Sequence, residues 1–191
     1  MRRLILVSTL LACLASFELY AQAPADAPTQ KLADEFMKRY NLLGNWTLSV
    51  DGKEEGVEPL VNSMMELFAP DVIAEVPPHD EEQIGPVMLR GSDNVRKWVD
   101  RIARTQVRFN YIIRRQTGGP GGEFEGWRVI YATPLPWGGK GISFQIIAAY
   151  SLRENRRRYT APGAVFIQYG EDGKIHKLRL LLGEISEVVP L

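Results

Sequence analysis

Few side chains in these 191 residues have the type and setting for chemistry. Tyr40 closes a Lys38-Arg39-Tyr40 run on the apolar stripe of a helix. A phenol there either packs with its hydroxyl hydrogen-bonded or donates to a carbonyl oxygen held beside it. His79 follows Pro77-Pro78 in a polar stretch that carries Asp80, Glu81 and Glu82. An imidazole titrates near neutral pH and can shuttle a proton; the competing reading is a solvated loop residue. Glu75 and Asp80 are the nearby carboxylates able to take a proton from a carbon next to a carbonyl. The only other histidine, His176, lies far along the chain, and no pair of ligands has metal-site spacing, so neither a metal nor another cofactor is expected.

The same inventory excludes other classes. The chain carries 23 basic and 23 acidic residues, and its only basic run is Arg156-Arg157-Arg158, which reads as a solvated hairpin tip. A nucleic-acid footprint needs a broader basic face, so no nucleic-acid partner is expected. Arg179 reads as one half of a structural ion pair. Gln145 and Gln168 read as polar-face strand residues. Trp137, between Pro136 and Gly138-Gly139, caps a pocket mouth or an interface, or packs locally.

The elements that must position these groups follow from periodicity. Arg2 and Arg3 precede an apolar run, Leu4 to Ala15, that is too short to span a bilayer, and small residues follow at Ala21 and Ala23. Residues 1–21 read as a signal peptide and 22–28 as a disordered leader, with residues 29–191 as one domain. The chain is thus expected to be exported, periplasmic or secreted, with no membrane span after cleavage. A lipid anchor on Cys13, the single cysteine, is the weaker reading. Leu32, Phe36, Tyr40 and Leu43 predict a helix capped by Thr29. Leu60, Met64, Leu67 and Phe68 predict a second, from Pro59 to Phe68. Val95, Trp98, Val99 and Ile102 predict a third, capped by Ser92. A short strand is expected at 72–76, a polar loop at 77–89, and strands near 107–116, 127–133, 142–153, 164–169 and 174–184, separated by glycine-rich turns. Three helices followed by an antiparallel meander make an α+β protein with helices packed on one face of a curved sheet.

Two segments resemble the nuclear transport factor 2-like superfamily, in its ketosteroid isomerase and SnoaL-type branches. One is Met65-Glu66-Leu67-Phe68-Ala69-Pro70-Asp71 running through Val76-Pro77 to Leu89-Arg90-Gly91-Ser92 and Trp98. The other is Gly170-Glu171-Asp172-Gly173-Lys174 leading into Leu178 to Glu184. The resemblance spans about residues 30–187 and implies a cone-shaped α+β roll around a largely apolar pocket, often paired as a homodimer through the outer sheet face. It also implies a catalytic set: a helix tyrosine, a base ending the first strand and a protonated acid on a later strand. Tyr40 matches the tyrosine. The base position falls on Val76 and the acid position on Val165, and valine can neither take a proton nor donate a hydrogen bond. The expected function is therefore to hold a small apolar molecule against Tyr40, Val76, Trp98, Trp137 and Val165. The alternatives are an isomerase- or lyase-type enzyme on a steroid- or polyketide-like substrate, with Tyr40 and His79 catalytic, and an interaction module that uses the outer sheet face.

Overall fold

The computed structural model describes residues 23–24, 27–48, 54–78, 86–113, 115–116, 127–128, 130–136 and 138–188. Helix α1 (Ala27–Leu42) buries Ala33, Phe36, Met37 and Tyr40, the face set by the three-and-four spacing. It starts two residues before the expected cap. Thr29 lies inside the first turn, buried, and its hydroxyl accepts from Lys140 Nζ at 3.3 Å. Helix α2 (Val57–Met65) takes Pro59 in its first turn, where a missing N–H costs nothing. It stops before Phe68 because the backbone there is claimed by a strand: Phe68 pairs with Ile175, and Ile175 N–H donates to the Leu67 carbonyl at 2.7 Å. Helix α3 (Ser92–Thr105) buries Val95, Trp98, Val99 and Ile102. Gly91, at φ 79°, takes the cap position expected of Ser92.

The strands are β1 (Ala23–Pro24), β2 (Thr47–Leu48), β3 (Glu54–Glu55), β4 (Phe68–Val76), β5 (Val87–Arg90), β6 (Gln106–Val107) and β7 (Ile112–Ile113). After them come β8 (Arg115–Gln116), β9 (Trp127–Arg128), β10 (Ile130–Pro134), β11 (Lys140–Leu152), β12 (Arg158–Tyr169), β13 (Ile175–Leu182) and β14 (Ser186–Val188). The main sheet runs β1-β10-β11-β12-β13-β4-β5, with β6 and β7 on β11 and β14 on β12. Three helices pack inside this strongly curled sheet, the expected cone-like α+β roll.

Two expectations about strands are corrected. The sheet is mixed, not wholly antiparallel, because β13 and β4 pair in parallel. Between them the chain runs through β5, α3 and the strands from β6 to β12, far enough for the last long strand to return beside the first in the same direction. The end of the expected polar loop is strand β5, a hairpin partner of β4 in the register Val76↔Val87. Residues 79–85 of that loop lie outside the described residues.

Strand β12 begins at Arg158, well before the expected start at 164, and runs through Pro162 and Gly163. Here neighbouring strands pack closely. A Cβ on Gly163 would stand 2.6 Å from the Leu181 carbonyl oxygen and 3.0 Å from Ile146 Cγ1. Pro162 keeps its place because its carbonyl accepts from Gly183 N–H at 2.8 Å.

The far end of the helix layer is tied down by Trp46, whose indole donates to the Ala103 carbonyl at 2.6 Å. The Arg153 guanidinium lies 3.5 Å above its ring, with Nε and Nη2 buried and without hydrogen-bond partners among the described residues.

Candidate functional site

Strand alternation sorts the sheet into two faces. On the inner face, register aligns Ile130, Phe144, Val165 and Leu180 in one row across four strands, every one buried. Val76 ends β4 on the same face, also buried. The two positions where the resemblance implies carboxyl groups are thus interior, and the only buried polar or charged residues described, tyrosines aside, are Thr29 and Ser151. No carboxylate is buried among the described residues.

Tyr40, 2% exposed, is the hub of an aromatic cluster. Its ring stacks on Phe36 at 6.0 Å and Phe109 at 5.7 Å, meets Trp98 at 6.2 Å, and takes the edge of Tyr111 at 4.9 Å. Tyr150 and Tyr159 continue the series outward. Tyr111 is held by Asn41, whose side-chain amide donates to the Tyr111 carbonyl at 2.9 Å and accepts from its N–H at 2.8 Å. This two-point clamp makes α1 position both phenols. The Tyr40 and Tyr111 hydroxyls are hydrogen-bonded to each other. Burial pushes the Tyr40 phenol above its ordinary value, and the hydrogen bond with Tyr111 only partly offsets this. Burial also raises Tyr111 and Tyr150, followed by the nearness of other phenols. These phenols stay neutral at physiological pH, so they can donate hydrogen bonds but cannot serve as bases.

Of the residues singled out by sequence, Tyr40, Val76, Trp98 and Val165 all face the interior, and Tyr40 and Trp98 are in ring contact. His79, Asp80 and Trp137 lie outside the described residues. Glu75 points to the opposite face from Val76 and pairs there with Arg179, as strand alternation requires. The sequence reading missed Phe109, Tyr111 and Tyr150. Tyr111 and Tyr150 lie within predicted strand segments, where nothing in the pattern tells an aromatic residue of the site from one of the core.

The outer face holds a groove of about 580 Å³ lined by Ile73, Met88, Leu135 and Phe166 with Arg90, Lys177 and Arg179. Beside it, His176 lies between Asp71, at 3.3 Å, and Asp172, at 3.2 Å. Among the described residues no group of three or more histidine, cysteine or acidic side chains is placed to hold a metal ion. No described helix is long and apolar enough to cross a membrane.

No protein-family model matches the chain, and no curated protein matches it. Solved structures do. An NTF2-like protein of unknown function from Exiguobacterium sp. 255-15 superimposes with a TM-score of 0.51 at 12% identity, over 80% of this chain and 98% of its own. SalBIII, an epoxide hydrolase/cyclase-like enzyme of pyran ring formation in the polyether salinomycin, gives 0.53 at 13% identity, over 84% and 96%. RV0760c from Mycobacterium tuberculosis, solved in complex with estradiol-17beta-hemisuccinate, gives 0.54 at 10% identity, over 84% and 99%. Curled sheet, enclosed helices and these superpositions together identify the fold of this chain as that of the nuclear transport factor 2-like superfamily.

Proposed function

We propose that this chain is an exported pocket protein that holds one small apolar molecule against the inner face of its sheet, without proton transfer by carboxylates. The observation that carries this reading is the pair Val76 and Val165, buried where a proton-transfer site would need acids. An apolar interior with a few placed polar groups is the usual composition of a ligand site. Here the polar groups are phenols: the Tyr40 and Tyr111 hydroxyls share one hydrogen bond, and the proton left over is free to meet a ligand carbonyl or hydroxyl. The solved complex of RV0760c with a steroid ester supports a flat, mostly apolar ligand. Because Tyr40, Val76 and Val165 are closed to solvent, a ligand enters by parting the rings around Tyr40.

Titration with estradiol while reading tryptophan emission tests this. A saturable change that disappears in Trp98→Phe, and weakens in Val165→Phe without loss of secondary structure, is expected. No saturable change, or one indifferent to both substitutions, would refute it.

The phenol pair favours one second reading, an enzyme that isomerises, cyclises or dehydrates a steroid- or polyketide-like substrate. Two hydrogen-bonded phenols in an apolar site can stabilise a developing enolate oxygen. The base would be His79. Unchanged turnover in both Tyr40→Phe and His79→Ala would sink that assignment.

Export rests on Arg2, Arg3, the apolar run and Ala21. The intact mass of protein recovered from its native envelope or medium should lack residues 1–21; retention of them would contradict it.

A further inference from the structure

The outer groove lies on the opposite face of the sheet from the proposed interior site and has the features of a second one. Its volume, about 580 Å³, falls within the usual ligand-pocket range. Register makes it two parallel rows of side chains. One row is Tyr131, Ser143, Phe166, Arg179, Glu75 and Met88; the next is Thr133, Gly141, Gln168, Lys177, Ile73 and Arg90. The first leaves Phe166 45% and Met88 53% exposed. Large apolar side chains grouped on an open sheet face mark an interaction site more often than chance exposure does.

The charges are unbalanced. Among the described residues Glu75 is the only acid lining the groove, against Arg90, Lys177 and Arg179. Arg179 is taken up by Glu75. Arg90 and Lys177 make no ion pair among the described residues, although Glu171 and Asp172 line the neighbouring depression that shares Lys177. Both cations are cross-strand neighbours of Ile73, one on each side, so their backbones stand about 10 Å apart. An anionic head over Ile73 meets both. From there the floor passes Lys177 and Gln168 to reach Gly141, which has no side chain, between Leu135, Thr133 and Phe166.

We propose that this groove binds an amphipathic monoanion, a carboxylate with an unbranched apolar tail, its head between Arg90 and Lys177 and its tail over Gly141 against Leu135 and Phe166. Charge decides against a second copy of this chain as the occupant. Two copies of a groove lined by three cations and one acid would repel across a two-fold contact, whereas a carboxylate neutralises the excess.

The probe is decanoate below its micelle concentration, added to the isotope-labelled protein and followed by amide chemical shifts. Decanol supplies the tail without the charge and acetate the charge without the tail. Decanoate should shift Ile73, Gly141 and Phe166 saturably, while decanol and acetate bind at least about tenfold more weakly. Arg90→Glu with Lys177→Glu should weaken decanoate by about tenfold or more, because two exposed attractions become repulsions. Glu75→Gln, which removes the single acid, should tighten it, a gain that misfolding cannot produce. Shifts confined to the inner residues around Tyr40 and Val165, equal binding of decanol, or indifference to all the charge changes would overturn the proposal. So would a dimer, detected by sedimentation, that covers Met88 and Phe166 and leaves decanoate without effect there. The estradiol titration reads the inner face alone, so either reading can fail without the other.

Discussion

Replacing Tyr40 with Phe keeps the ring stack and removes one hydroxyl, stranding the buried Tyr111 hydroxyl bonded to it. An unpartnered buried donor costs about 1–3 kcal/mol, so Tyr40→Phe should lower the urea-extrapolated stability by an amount in that range. The phenols also set an alkaline limit. In the fold Tyr40, Tyr111, Tyr150 and Tyr169 all hold their protons above the ordinary value, with burial the leading cause. Above a pH of about 10 the unfolded chain therefore binds fewer protons than the fold, and stability falls as pH rises. Below that it is fully present. Urea midpoints at pH 8 and at pH 11 should differ, and the difference should shrink in Tyr111→Phe. Arg153 points the other way. Its two buried nitrogens have no partner among the described residues, and Arg153→Met removes these unmet donors while setting a thioether in place of the guanidinium on the Trp46 ring, so stability should rise by about 1 kcal/mol in the same assay. At this scale Tyr40 and the two valines were legible because chain order and spacing locate them. The Asn41 clamp on Tyr111 was not, because it joins residues 70 positions apart.

Among the elements, the apolar stripes of the three helices were readable, since each stripe is a period of one segment. Their caps were not: Gly56 and Gly91, both at positive φ, took the capping positions, and Thr29 was drawn into a contact with Lys140. Strand ends failed where pairing outweighed local signals, as at Phe68 and at Pro162-Gly163. Gly163 carries the sharpest consequence. A methyl there meets the Leu181 carbonyl oxygen at 2.6 Å, so Gly163→Ala must push β12 away from β13. It should destabilise the protein by about 2 kcal/mol or more, with a thermal melt as the check.

For the whole molecule, the α+β layering was legible because three helices followed by strands with short turns admit few architectures, and the curled roll because the family resemblance implies it. The parallel pairing of β13 with β4 was not, because nothing local records which strand the last one meets. The outer groove was equally hidden. Its two rows draw on five strand pairings, one of them joining β13 to the distant β4, and each side chain alone reads as an ordinary polar or apolar strand residue. What the described residues present, then, is a main sheet with two unlike faces: an apolar interior without acids, holding phenols, and an exterior with a part-apolar groove lined by three cations and one acid.

The central claim is that the interior binds without transforming. It is tested most directly by adding a β,γ-unsaturated 3-ketosteroid to protein carrying methyl labels and recording protein and ligand spectra together over time. The account predicts saturable shifts of the Val76 and Val165 methyl groups while the steroid's double bond stays where it was. Migration of that bond into conjugation faster than in buffer, abolished by Tyr40→Phe, would contradict it, as would valine methyl groups that do not respond at all.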